Sequence, residues 1–277
     1  MIIKERYENW RSLKQRFDNF FYDYSYRNKW LFRGHTSAKW RLKTSIDRTH
    51  VDQKRNAEQA IINGFQRNMP HYKRADIDLS NTFHIVSYLQ HYGAPTRLLD
   101  ISTSPYVAAF FALENAEQDA AIYAFDQGLF QSYSINLIEK KSPADFEELV
   151  KRNGDVRDDP FFTEFFYNKQ IPNVYTTQPY YLFDRLKTQS GGFLIQGSVQ
   201  VDFESNLNAL LKYGKLDYAV FKFILSPAMR LEALTDLRRM NISRETLFPG
   251  VEGFIPSLIT TYETEMFINN PGVAKGK

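Results

Sequence analysis

Between His91 and Ala116 the chain reads HYGAPTRLLDISTSPYVAAFFALENA, and this stretch fixes its own local structure. Ser80 or Asn81 is placed to cap a helix over 83–92, and Gly93 sits where a left-handed C-terminal residue ends one. Pro95 prevents continuation, and TRLLDI is short and apolar enough for a buried strand. Ser104-Pro105 then supplies an N-cap and a first-turn proline. Tyr106, Ala109, Phe110 and Leu113 recur on one face of the helix that follows. A helix, a buried strand and a second helix must therefore pack within a short length of chain.

The flanking sequence extends that pattern irregularly. Tyr7, Trp10, Leu13, Phe17, Phe20 and Phe21 recur at three- and four-residue spacing, which predicts an amphipathic helix over 6–24. Strands are expected at 29–34, 120–126 and 218–225, with a glycine turn after the second of these. Residues 40–48 read as a strand or extended turn, and extended segments flank or include Gly191-Gly192. Helices are expected at 55–69, 142–154 and 227–240, and Ser243 is placed to cap a short one. The region 155–180 reads as polar and rich in turns. Without regular βαβ alternation, α+β is favoured over a doubly wound sheet. No linker divides the chain, so a single domain is expected.

The 277 residues include 23 Phe and 17 Tyr, enough to build a sizeable core and to argue against extensive disorder. The formal charge of +3 is carried by scattered basic residues, which gives no footprint for nucleic acid. With no cysteine, disulfides, thiolate metal sites and a cysteine nucleophile are excluded. The start of the chain lacks a signal-like apolar stretch and no window is apolar enough for a membrane span, so a cytoplasmic protein with no membrane partner is expected. There is no GxGxxG, Walker A, GxSxG or zinc-ligand spacing, and no metal is expected.

Several residues invite chemistry. Arg33, at a strand end beside Gly34, offers a planar donor fork for phosphate or carboxylate, with Gly34 allowing close approach; alternatively it pairs with a structural acid. Ser102, Thr103 and Ser104 lie between a strand and a helix start, where hydroxyls and N–H groups can meet an anion, although Ser104 is explained as a cap. His91 is either an acid–base group or a histidine at a helix C-terminus. Arg97 and Asp100 could pair, but three residues apart on a strand they face opposite ways unless the chain bends. Gln189 precedes two glycines, where its amide could read a polar edge or simply sit in a turn. Glu263 and Glu265 form an E-x-E that a strand would place on one face.

Together these segments resemble the FRG domain family. The match runs through Phe32-Arg33-Gly34, Arg48, HYGAPTRLLDISTSPYVAAFFAL, AIYAFD, Arg185, Gln189, Gly192, Phe193 and LFPGVEG at 247–253. Ile101-Ser102 departs from it, because the family has an aromatic before its Thr or Ser. The resemblance implies a helical segment at 1–28, an FRG domain over 29–258 and a tail at 259–277. More distantly, an arginine strand followed by Ser-Thr-Ser before PYVAAFFA resembles ADP-ribosyltransferases of the R-S-E type. That resemblance implies a mixed, mostly antiparallel split sheet flanked by helices, with an ADP-ribosyltransferase-like core and NAD as cofactor. Arg33 would hold the NAD phosphates and ribose, and Ser102-Thr103-Ser104 would shape the nicotinamide side. Gln189, or the pair Glu263 and Glu265, would stand in the place of the third-motif glutamate. Gly34, His35, His91, Thr96, Arg97, Asp100 and Arg185 complete the implied nucleotide-binding set. The implied role is a bacterial toxin or antiphage-defence effector that modifies protein or nucleic acid, with an antitoxin or defence-system partner. The alternative is a non-catalytic nucleotide-binding module or an interaction subunit that docks through its aromatic helices.

Overall fold

Alternating burial along a few short strands organises the molecule, because each strand sends successive side chains to opposite faces. In the computed structural model, residues 2–23, 29–72, 78–151, 157–179 and 184–269 are described. The chain begins β1 (Ile3–Tyr7), α1 (Trp10–Asp23), β2 (Trp30–His35), α2 (Lys54–Asn68), α3 (Thr82–His91) and β3 (Leu98–Ser102). It continues α4 (Pro105–Leu113), β4 (Ala120–Asp126), α5 (Gln127–Lys141), α6 (Pro143–Lys151), α7 (Asp159–Phe162) and β5 (Val174–Thr177). It ends α8 (Asp184–Thr188), β6 (Gly191–Gln196), α9 (Phe203–Gly214), β7 (Val220–Leu225), α10 (Arg230–Arg239), α11 (Arg244–Leu247) and α12 (Val251–Asn269).

The strands form one seven-stranded sheet in the order β1-β7-β4-β2-β3-β6-β5. Only β1 and β7 run parallel, so the sheet is mixed and mostly antiparallel, and the α+β class holds. β2 meets β4 over six positions but meets β3 only at Phe32 and Ser102, so the sheet is nearly split there. On one face, Trp30, Phe32, Ile122 and Phe223 pack under α1, α4 and α10. On the other, Leu31, Phe125, Val220, Phe130 and Leu207 join α5 and α9. Beyond the split, Leu98, Phe193 and Ile195 pack with Phe83, Phe161, Phe162, Phe165 and Phe166.

The caps read from sequence form: Asn81 accepts from the His84 N–H, Ser104 from Val107, and Ser243 from Thr246. Other expectations are corrected. The first helix starts at Trp10, and Tyr7 ends an edge strand instead. The side chains of Phe20 and Phe21 lie outside the described residues. Trp10 and Phe17 point into the core, so α1 offers no aromatic docking face through them. Residues 40–48 are irregular with a short 3-10 turn, and Asp126 caps a full helix, α5, where a glycine turn was expected. The supposedly polar stretch 155–180 contains α7, a π-helical turn over Thr163–Asn168 and β5, with four buried phenylalanines. α8 stands where an extended segment was expected, and α12 occupies much of the expected tail.

Candidate functional site

The near-split between β2 and β3 places a cation where a strand ladder should continue. Phe32 faces the first core, so Arg33 faces the other way, aligned with Tyr123 on β4 and, through it, with Lys222 on β7. The Arg33 Nη1 donates to the Asp100 carbonyl at 2.5 Å, which bridges the gap with a side chain. Its Nε donates to His35 Nε2 at 3.1 Å. Both acceptors are neutral, and among the described residues Arg33 makes no ion pair. Burial lowers this guanidinium from its ordinary value; the Asp100 carboxylate opposes that, and Arg48 reinforces it. An only partly exposed arginine without a carboxylate partner, near a second cation, favours an incoming anion.

Gly34 serves a different purpose from the expected ligand approach. A Cβ there would lie 2.1 Å from the Ala108 carbonyl oxygen and 2.7 Å from the Ala112 nitrogen. The glycine lets α4 lie directly on β2.

His35 is buried, and it packs edge-on against Tyr123 at 5.3 Å and Trp40 at 6.2 Å. Burial, followed by Arg33 and Lys222, pushes its pKa down to about 3. The imidazole is therefore neutral, accepts from Arg33 at Nε2 and carries its proton on Nδ1. An unfolded histidine protonates near pH 6.5, so the unfolded state binds the extra proton first and stability falls as pH drops below that value. About 2 kcal/mol should be lost by pH 5 through this group alone. Denaturant melts at pH 7 and pH 5 should show that loss in the wild type and a smaller one in His35→Gln; equal losses would contradict it.

The Ser-Thr-Ser segment is tied to the turn before β6. Ser102 Oγ donates to the Gln189 carbonyl at 2.7 Å and accepts from the Ser104 N–H at 3.0 Å. The Thr103 N–H donates to the Ser190 carbonyl, while Ser104 caps α4. The Gln189 side chain donates through Nε2 to the Leu247 carbonyl at 3.1 Å. The structure thus brings Arg33, Ser102 and Gln189 to three neighbouring strands or their ends.

Beside them lies a small cleft of about 40 Å³ lined by Gln90, His91, Asp100, Arg185, Leu186, Gln189 and Phe193. Gln90 Nε2 donates to the Asp100 carboxylate at 3.0 Å. Burial, followed by Arg185, lowers the His91 pKa, while Asp100 and Asp184 oppose it. Arg185 is exposed and stacks on Phe248 at 4.7 Å, without an ion pair among the described residues.

Other expected site residues are structural. Arg97 is fully buried and grips Glu58 with two bonds, while Nη1 serves the carbonyls of Phe166, Gln196 and Gly197. It therefore cannot also bind a nucleotide, nor does it pair with Asp100. Thr96 is buried and donates to Gln90 Oε1. Glu263 and Glu265 lie on a helix, where residues two apart do not share a face. They pair with Arg230 and Arg238 respectively and do not line the cleft. Sequence reasoning missed Gln90, Tyr123, Lys222 and Trp40 as neighbours of this region. Strand register was the available signal for Tyr123 and Lys222, and none marked Gln90.

Among the described residues no group of three or more His, Cys, Asp or Glu is placed to hold a metal, and no helix is long and apolar enough to cross a membrane. Comparison with curated proteins and with solved structures returned no match. A comparison with protein families matched residues 28–121 to the FRG domain. That segment contains β2, β3 and α4, hence Arg33, Asp100 and the Ser-Thr-Ser turn, so the similarity to the FRG domain rests on the part of the chain that builds this site.

Proposed function

We propose that Arg33 grips the pyrophosphate of NAD or a related nucleotide, and that the chain transfers ADP-ribose from it to a macromolecule. The observation that supports this best is Arg33 itself: a guanidinium at the near-split of the sheet, bonded only to neutral acceptors, one residue from the Phe32–Ser102 pairing. A phosphate oxygen would supply the charge-assisted bond that no carboxylate supplies. In transfer, the bond from ribose C1′ to nicotinamide breaks, nicotinamide leaves neutral, and the acceptor bonds C1′ while losing its proton. The developing positive charge calls for a nearby carboxylate. Gln189 is neutral and Glu263 and Glu265 are engaged elsewhere, which leaves Asp100, at the cleft beside His91, as the group for that role. A bacterial toxin or defence effector acting on protein or nucleic acid fits this chemistry.

A second reading is a nucleotide- or anion-binding module without turnover. It is favoured by one observation: Gln189, in the place of a third-motif glutamate, cannot act as a base.

Incubation with NAD labelled in its adenylate half and a cell lysate separates the two. Under the first reading, label enters macromolecules with wild type, vanishes with Arg33→Ala, and falls at least 100-fold with Asp100→Asn while NAD binding persists. Binding without transfer would select the module, and the absence of both would overturn the two readings together.

A further inference from the structure

α12 is amphipathic in the wrong direction for a helix that closes a monomer. Its buried positions are the small or polar Gly253, Ser257 and Thr264, while its large apolar side chains face outward. Val251, Ile255, Leu258, Ile259, Tyr262 and Met266 are between 44% and 67% exposed. Eight of the fifteen large apolar side chains exposed among the described residues lie on this one helix. Scattered exposed hydrophobics are ordinary, but a contiguous stripe marks a surface that something covers.

We infer that this stripe is the interface for a second copy of the same chain. Three observations select that occupant. Val251, Ile255, Leu258 and Tyr262 follow one another at steps of four, three and four, which is the seam an opposing helix with the same repeat fills. A two-fold axis brings a patch onto itself, so one stripe meets its own copy without needing a second design. Eight such side chains, each about half exposed or more, present an area on the order of the roughly 800 Å² that each partner of a stable interface buries. Charge disfavours a lipid surface as the alternative. α12 contains no Lys or Arg and three Glu, whereas helices that lie on anionic membranes carry basic residues. Two of those acids, Glu263 and Glu265, are already paired with Arg230 and Arg238 of their own chain, so approach of a second copy meets little like-charge repulsion there.

The interface would adjoin the cleft. α12 begins three residues after Phe248, whose ring lies under both Arg185 and Arg244, and Leu247 holds Gln189 through its carbonyl. Pairing through α12 would brace that wall without supplying a residue to it.

Sedimentation of the full chain over a dilution series tests the proposal. The wild type should run at twice the chain mass, and Leu258→Glu with Ile259→Glu at once that mass, with an unchanged circular dichroism spectrum because both positions are exposed in the single chain. The chain lacks cysteine, so Tyr262→Cys should cross-link covalently to a second copy under oxidation, and Tyr218→Cys, equally exposed but on another surface, should not. A wild type that stays monomeric at its highest soluble concentration would overturn the inference. So would a dimer indifferent to the double variant, or a monomer that binds anionic phospholipid vesicles through α12.

Discussion

Arg97→Ala is expected to destabilise the fold by about 3–5 kcal/mol, the cost of stranding one member of a buried ion pair. Arg97 is fully enclosed, and its partner Glu58 is nearly so. Removing the guanidinium leaves a carboxylate on α2 without a counter-charge and takes a donor from the carbonyls of Phe166, Gln196 and Gly197. One side chain thus ties α2, the π-helical turn and the end of β6 to the start of β3. For a chain of this length the melting temperature should fall by roughly 10 °C. Replacing Glu58 and Arg97 together by methionine should cost less than the sum of the two single replacements, because no charge remains buried. A loss below about 1 kcal/mol in Arg97→Ala, more typical of an exposed pair, would contradict this role.

Gly34→Ala should be nearly as damaging, at about 3 kcal/mol, the upper end for overpacking a core. The added Cβ would meet backbone atoms of α4, the Ala108 carbonyl and the Ala112 nitrogen, which cannot swing aside as a flexible side chain can. α4 has Ala108, Ala109 and Ala112 buried on this strand, so the whole helix would have to lift. Gly64, inside α2, has nothing within 4 Å of its Cβ position. Gly64→Ala should therefore stabilise, by about 0.5–1 kcal/mol. Equilibrium denaturation of the two variants gives opposite signs if this account holds.

Where local chemistry decided structure, the sequence was readable. The caps at Asn81, Ser104 and Ser243 and the apolar runs of β3, β4 and β7 stand where their residues demand. β1 was hidden because Tyr7 joins the three- and four-residue spacing of α1, and because its inward positions include the charged Glu5, satisfied by Arg16 and the Tyr7 hydroxyl. α9 had an available signal in the Asp202 cap and in Phe203, Leu207, Leu210 and Leu211. α12 was obscured by an internal proline and by an apolar face turned outward. The site divides in the same way. That Arg33 lies beside the strand of Ser102 could be inferred from strand order, and the pairing places them so. That Arg97 belongs to Glu58, 39 residues away in sequence, depends on packing that no local pattern encodes. Gly34 next to an arginine suggested a ligand, while the close approach it permits is that of a helix.

Calorimetric titration of NAD and of inorganic pyrophosphate into wild type, Arg33→Lys and Arg33→Ala tests the central claim, that Arg33 is an anion-gripping fork. Two charge-assisted bonds at about 1.5–3 kcal/mol each predict that Arg33→Ala loses at least roughly 100-fold in affinity for both ligands. Arg33→Lys should recover only part of it, because an ammonium keeps the charge without the fork. Equal affinity for either ligand in wild type and Arg33→Ala would contradict the account.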